Sequence, residues 1–380
     1  MPRILLLQAS VGTGHKRAAD AIHEAFTIKQ ELDVRVEDTL DHGAAFFRQA
    51  YSRSYLDLSE RAPLFWRLFY ESTDVADPEL IEVTNRLRSL VERFGVTHLE
   101  DFIQEYNPTA IICTHFLPIE LLLSLKHQGR LPQPIYCVIT DFFAHTFWVM
   151  PGIDGYFVGN ELTRELLIAR GVAPSIIHVS GIPVDPKIAE PKDPNEVRNL
   201  HNLPTDQPVV SIFGGGILPE RMRQIVSGLI KLNLRCTFVV VAGRNEELHE
   251  ALSDLEGEGE TTLIKLDYID YVNDLLAASD LVITKSGGLI VSETLARGTP
   301  MLVIEPIPGQ EEWNADYVVS AGAGVQLRMI EAIPDTVRQL LQHEDWLNVL
   351  QKGAERIGRP RAALDIAEQV LNELRSGTHD

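Results

Sequence analysis

Short apolar runs punctuate this chain, and between them apolar residues return at helical spacing. Runs at residues 4–7, 34–37, 110–113, 135–139, 156–158 and 178–179 read as strands. Between the first two, Ala18, Ile22, Ala25 and Phe26 fall on one face of a predicted helix over 16–26. After residue 208 the alternation begins again, with predicted strands at 209–213, 237–242, 263–266, 281–284 and 301–305. A helical pattern then runs from 346 to 374, broken near 358–360. Such alternation predicts parallel sheets covered by helices on both faces.

The two stretches of alternation are separated by a passage rich in proline, with Pro186, Pro191, Pro194, Pro204 and Pro208. The pattern therefore predicts an α/β protein of two Rossmann-like domains whose ligand loops face a central cleft. The expected bounds are 1–183 for the first domain, 184–208 for the linker and 209–361 for the second domain, with a last helix in 362–380.

The bulk composition narrows the class. At 380 residues, 45% hydrophobic and 23% charged, the chain is an ordinary globular protein with room for two cores. No apolar stretch approaches the roughly 20 residues of a membrane span, and the longest candidate, 116–125, contains Pro118 and Glu120. The first apolar run passes straight into Gly12-Thr13-Gly14, unlike a secretory leader. A cytoplasmic chain with at most peripheral membrane contact is expected. Cys113, Cys137 and Cys236 sit in strand-like runs and read as small buried hydrophobes of a reducing compartment. The formal net charge of −20 argues against nucleic acid as a partner, and it also opposes docking on an anionic membrane.

Candidate chemistry concentrates in a few places. Ser286-Gly287-Gly288 lies between a predicted strand and a predicted helix, where unpaired backbone N–H groups and the helix dipole suit an anion. Glu293, seven residues past Ser286, is placed for a sugar hydroxyl. Gln310, Glu311 and Asn314 follow the next strand, where open α/β sheets carry ligand contacts. Phosphate, diol and a second sugar-facing set together point to a nucleotide sugar. Gly214, Gly215 and Gly216 read as a turn that approaches a diphosphate rather than as packing, without the Gly-Lys-Ser/Thr of a P-loop. Arg244 is a candidate counter-charge for that diphosphate, or a solvated surface arginine.

His15 opens a helix after Gly12-Thr13-Gly14. There the helix N-terminus lowers its pKa and favours the neutral form a general base needs. A capping histidine is the rival reading. Asp141 and His145 end the strand at 136–139, spaced so that the carboxylate orients an imidazole or takes a proton from a hydroxyl; a loop ion pair reads equally well. Trp148 offers a flat face to sugar or lipid, or core packing. The sequence leaves open which of His15, Asp141 and His145 accepts the proton. With no Asp-x-Asp and no HxxxH, neither a metal nor a cofactor is expected beyond the donor substrate.

Residues 45–70 alternate aromatic and basic side chains. Phe47, Tyr51 and Tyr55 recur at helical spacing, Phe65 and Trp66 follow, and Arg48, Arg53, Arg61 and Arg67 flank them. The stripe reads either as core or as a lipid-facing surface.

The motifs Ala9-Ser10-Val11-Gly12-Thr13-Gly14-His15, Thr140-Asp141-Phe142-Phe143-Ala144-His145 with Trp148, Phe213-Gly214-Gly215-Gly216 and residues 283–314 occur in that order. Together they resemble glycosyltransferases of the monogalactosyldiacylglycerol synthase and processive diacylglycerol glucosyltransferase group, family 28. A more distant likeness is to the bacterial enzyme that adds N-acetylglucosamine to the lipid-linked peptidoglycan precursor. The resemblance implies the GT-B fold, with the last helix crossing back to the first domain. It implies His15 at the reaction centre, backbone near Ile269 on uracil, Glu293 on ribose, and Gln310 and Glu311 on the hexose. It turns Gly14, Phe47, Tyr51, Phe65, Trp66 and Trp148 toward the acceptor and the membrane.

The implied activity is an inverting, metal-independent transfer of glucose or galactose from a UDP-hexose to diacylglycerol or a related glycolipid, at the cytoplasmic face of the membrane. A lipid-linked precursor or soluble acceptor, a UDP-sugar epimerase and a UDP-sugar-sensing protein are the rival readings. The chain departs from the resembling enzymes in Val-Gly-Thr-Gly-His, where plant-type members have a glycine-only run, and in lacking a proline after His145. Both departures leave glucose versus galactose open.

Overall fold

The computed structural model describes residues 2–10, 12–29, 32–43 and 98–377. The aromatic and basic stretch at 45–70, with Phe47, Tyr51, Phe65 and Trp66, lies outside them. The chain divides into two compact units. Unit 1 comprises Met1–Lys187, Pro308–Gln310 and Arg361–Asp380; unit 2 comprises Ile188–Ile307 and Glu311–Pro360.

Unit 1 is built on a parallel sheet of β1 (Arg3–Gln8), β2 (Asp33–Asp38), β3 (Ala110–Cys113), β4 (Ile135–Val138), β5 (Gly155–Val158) and β6 (Ile177–Val179). Their order in space is β2-β1-β3-β4-β5-β6. Ile4, Leu5, Leu6 and Leu7 are wholly buried, as expected for a central strand covered on both faces. Each such side chain contributes about 1.5–3 kcal/mol, which holds β1 inside the sheet between β2 and β3.

The helix Gly14–Lys29 follows β1 and buries Ala18, Ala19, Ala21, Ile22, Ala25 and Phe26, the spacing of one helical face. Lys29 in its last turn suits the negative end of the helix dipole. The apolar stretch after β3 folds as the helix Phe116–His127, with Pro118 tolerated in its first turn. Seven of its residues are buried, so its all-round hydrophobicity belongs to a core helix. No helix among the described residues is long and apolar enough to cross a membrane. The C-terminal helix Ala362–Ser376 belongs to unit 1 and packs on Gly14–Lys29, with Lys29 paired to Glu368.

Unit 2 carries β7 (Val209–Phe213), β8 (Cys236–Gly243), β9 (Thr261–Asp267), β10 (Leu281–Thr284), β11 (Met301–Ile304) and β12 (Gly324–Leu327). All pair in parallel, in the order β12-β11-β10-β7-β8-β9. The edge strand β12 was not expected from the sequence: Gly-Val-Gln-Leu has no apolar run, since an edge strand is only half covered. The passage at 184–208 is not extended throughout. It contains a 3₁₀ turn at Pro186–Ala189 and a helix at Pro194–Leu200, with Pro194 in the helix's first turn, where its missing N–H costs nothing. Cys113, Cys137 and Cys236 are buried, and burial pushes their thiols up, to about 12 for Cys236, so all three stay protonated.

In each sheet the strand order reverses at one place. In unit 1, β1 leads to β2 on one side and β3 lies on the other. In unit 2, β7 leads to β8 on one side and β10 lies on the other. Ligands of open α/β sheets bind outside the carboxyl ends of the strands at such switch points. The topology thus singles out four loops: those after β1, β3, β7 and β10.

Candidate active site

In unit 1 the loop after β1 delivers His15 and the loop after β3 delivers Thr114 and His115. The strands bring them together by register, since Leu7 pairs with Cys113 and Thr114 N–H donates to Leu7 O at 3.0 Å. His15 Nδ1 lies 2.7 Å from the carbonyl oxygen of Thr114. A carbonyl can only accept, so Nδ1 carries the proton and Nε2 keeps its lone pair. Thr140 Oγ1 is 3.1 Å from the same nitrogen, and Thr114 Oγ1 donates back to His15 O at 2.9 Å. The ring is therefore held in one tautomer, with its basic nitrogen kept for another proton.

Burial lowers the His15 pKa, while the charge of Asp141 and the bond to Thr114 pull it the other way. Neutrality at pH 7 is thus due first to desolvation, rather than to the helix N-terminus expected from the sequence. Asp141 acts on His15, where it would stabilise an imidazolium formed by proton capture. His145 is buried, with Nδ1 accepting from Phe147 N–H at 3.2 Å as the cap of a 3₁₀ turn. Trp148 belongs to the core, 4% exposed and edge-on to Phe116 at 5.9 Å; so enclosed a ring packs rather than offering lipid a surface. Gly14 is the first residue of the His15 helix, and Gly12 takes φ +85°, which a residue with a side chain would resist.

His115 went unnoticed in the sequence because no glycine or acidic partner marks it. It is wholly buried, and its ring centroid lies 4.6 Å from that of His15 at a near-perpendicular angle. Its Nδ1 accepts the Leu117 N–H at 3.0 Å, capping the helix Phe116–His127. Burial, and then the neighbouring His15, push its pKa well below the usual histidine range.

In unit 2 the loops after β7 and β10 carry the two glycine motifs. The three glycines at 214–216 serve three different ends. A Cβ on Gly214 would sit 2.4 Å from Leu248 Cδ2 and 3.3 Å from Val241 O, so this glycine is there for packing, against the sequence expectation. Gly215 faces open space, and Gly216 takes φ +71°. Lys285, the first residue after β10, spans the two loops. Its Nζ donates to Gly216 O at 3.1 Å and lies 4.0 Å from Glu311 Oε2, with the side chain only 13% exposed. It too was missed, since a lysine beside Ser286 reads as ordinary surface. A partly desolvated ammonium between two glycine loops is a strong point charge for a diphosphate.

Ser286 and Asn314 turn inward. Ser286 Oγ donates to Glu311 O at 2.6 Å and Asn314 Nδ2 to Ser286 O at 3.0 Å, so both brace the turn. Glu311 Oε2 accepts from Ile307 N–H at 2.7 Å, and its Oε1 lies 3.6 Å from where a Gly287 Cβ would be. Gln310 begins the helix Gln310–Ser320. Gly288 begins the helix Gly288–Ala296, in which Glu293 is buried at 3% exposure. Glu305, at the end of β11, holds a positive φ of 49°, a strained geometry typical of ligand-facing loops, and pairs with Arg221 at 3.2 Å. Beyond β8 and β9, exposed Arg244 stacks 4.3 Å above the ring of Tyr268, itself 59% exposed, while neighbouring Ile269 is core.

Known structures share this architecture. The S. aureus MnaA–UDP co-structure superposes with a TM-score of 0.64 at 16% identity, covering 99% of this chain and 96% of that one. Acinetobacter baumannii MurG gives 0.64 at 13% identity, covering 98% and 100%. The fold is GT-B. Residues 15–184 match the family model described as monogalactosyldiacylglycerol (MGDG) synthase, and residues 209–357 match the glycosyltransferase family 28 C-terminal domain. The processive diacylglycerol beta-glucosyltransferase of Bacillus subtilis (strain 168) is 28% identical over 374 residues, 98% of this chain and 95% of that protein. Its namesake in Bacillus cereus (strain G9842) is 29% identical over 374 residues, 98% and 94%. The chain thus carries an MGDG synthase domain followed by a glycosyltransferase family 28 C-terminal domain, and over its length it is similar to processive diacylglycerol beta-glucosyltransferases.

Proposed function

We propose that the chain moves a hexose, glucose or galactose, from a UDP-hexose to the hydroxyl of diacylglycerol or a related glycolipid, with inversion at the anomeric carbon. The observation that carries this reading is His15, fixed with a basic Nε2 at the switch point of unit 1. In the reaction Nε2 takes the acceptor proton as the acceptor oxygen bonds to the anomeric carbon. The bond from that carbon to the diphosphate oxygen breaks, and UDP leaves with the electron pair. Asp141 stabilises the resulting imidazolium. Lys285 and the N–H groups around Gly215–Gly216 and Gly287–Gly288 stabilise the charge that grows on the diphosphate.

Backbone at Ile269 holds the uracil end and Arg244 adds positive charge toward the diphosphate; Glu293 meets the ribose; Gln310 and Glu311 meet the hexose. The names of the relatives and the UDP bound in structures of like fold support donor and acceptor alike. The acceptor being a membrane lipid, the protein works as a peripheral enzyme.

The test is a radiolabel transfer assay with UDP-glucose and UDP-galactose, each with and without diacylglycerol in anionic liposomes. Label entering the lipid phase from one donor establishes the reaction and names the sugar. UDP binding with no label in lipid refutes the lipid acceptor and favours a soluble one or a sensing role.

A further inference from the structure

The His115 imidazole has a use that capping does not exhaust. Leu117 N–H donates to its Nδ1, so in the neutral ring the proton must sit on Nε2. That Nε2–H is buried and has no hydrogen-bond partner among the described residues. A buried polar group left so is uncommon in a folded protein and marks a place where a ligand completes the bonding. Gln8 Oε1 and Thr39 Oγ1 are likewise buried without a partner among the described residues. Gln8 ends β1, Thr39 follows the end of β2, and His115 follows β3, so all three lie at the carboxyl ends of adjacent strands. A donor set beside acceptors matches a molecule rich in hydroxyl groups, each of which both gives and takes a hydrogen bond.

We infer that His115 is an acceptor-binding residue whose Nε2–H donates to an oxygen of the acceptor head other than the attacking one, so that the attacking hydroxyl meets Nε2 of His15. The inference rests on the transfer reaction proposed above. It adds a contact on the acceptor: His115 lies in unit 1, whereas the two glycine loops assigned to the diphosphate lie in unit 2. Desolvation keeps the ring neutral, and the cap keeps its tautomer, so the donated proton is present throughout the working pH range.

Two variants separate this role from capping. His115→Asn retains an oxygen that can cap Leu117 N–H and removes the Nε2–H; His115→Gln restores an N–H near the Nε2 position. With UDP-hexose and liposomal diacylglycerol, His115→Asn should raise the acceptor KM about tenfold, the effect of one lost hydrogen bond in a dry site. Both kcat and the UDP-hexose KM should stay within about twofold of the wild type, the Tm should be kept, and His115→Gln should recover most of the acceptor affinity.

An unchanged acceptor KM in a folded His115→Asn overturns the inference. So does a fall in kcat at constant acceptor KM, which would make His115 a brace for the His15 ring. If His115→Asn does not fold, His115→Gln decides: an acceptor KM near wild type supports the assignment, and one raised beyond tenfold in folded protein overturns it. Wild-type protein that transfers no hexose refutes the reaction itself and this contact with it, whereas an active wild type beside an indifferent His115→Asn refutes the contact alone.

Discussion

Replacing His15 with asparagine separates the nitrogen that takes a proton from the one that orients the ring. An asparagine amide can still donate to Thr114 O, the bond that His15 Nδ1 makes at 2.7 Å, but nothing remains in place of Nε2. Losing a general base costs about 10²–10⁴ in turnover, or roughly 2.7–5.4 kcal/mol of transition-state stabilisation. The orienting bond survives, so stability should change by less than about 1 kcal/mol. UDP affinity should be unchanged, because Lys285 and the glycine loops assigned to the diphosphate belong to unit 2.

The pH profile adds a second constraint. Burial holds the His15 pKa below 6.5, so wild-type kcat/KM should be flat from about pH 8 down past 6.5 and fall only in more acidic solution, as the base is protonated. In the variant that acid limb should vanish. The assay is steady-state transfer to lipid across pH, with calorimetric UDP binding as the control. Turnover within tenfold of wild type, or an acid limb unchanged by the substitution, would remove His15 from the proton transfer.

Three further outcomes follow from the geometry. Lys285→Met should weaken UDP binding about 10–100-fold, the range for a lost charge-assisted hydrogen bond in a partly dry site; calorimetry with unaltered affinity would break the diphosphate assignment. Gly214→Ala should cost about 1–3 kcal/mol, because Leu248 is wholly buried and cannot swing away from the new Cβ, whereas Gly215→Ala should cost nothing. A thermal scan should lower the Tm of the first by roughly 2–10 °C, and equal melting of the two variants would contradict the packing role. Finally, burial lowers the pKa values of His15, His115 and His178, so the unfolded chain binds protons that the folded one refuses. Their share of stability is therefore complete above pH 6.5 and is lost as pH falls below it. Urea midpoints should drop between pH 7.5 and 5.5, and by less in His115→Asn; midpoints indifferent to pH would oppose this.

Much of the fold could be read from local pattern because its strands are buried on both faces. Residues 4–7 and 281–283 are apolar without interruption, which periodicity detects directly. Gly324–Leu327 escaped because an edge strand needs no such run. The site was legible where it depends on glycine: positive φ at Gly12 and Gly216 belongs to loops that already looked like turns. What escaped were contacts set by register across the sheet. Thr114 fixes the tautomer of His15 from 99 residues away, and Lys285 reaches Gly216 from 69 residues away. Nothing near His115 or Lys285 in the sequence announces either pairing. The purpose of Gly214 was misread for the same reason, since its crowding comes from Leu248 and Val241.

The last helix carries a consequence for how the protein comes off the ribosome. Ala362–Ser376 lies against Gly14–Lys29, the helix that begins at the His15 turn. During synthesis, the first unit to begin is thus the last to be finished. Unit 2 has all of its strands once residue 327 has emerged, while the face of the His15 helix waits for residues 362–376. Vectorial synthesis, which ordinarily lets an earlier domain fold before a later one, here leaves the His15 helix without that packing partner until residues 362–376 have emerged. A stop codon just after residue 360 would strike the His15 helix, hundreds of residues upstream, and spare the unit that is its neighbour in sequence.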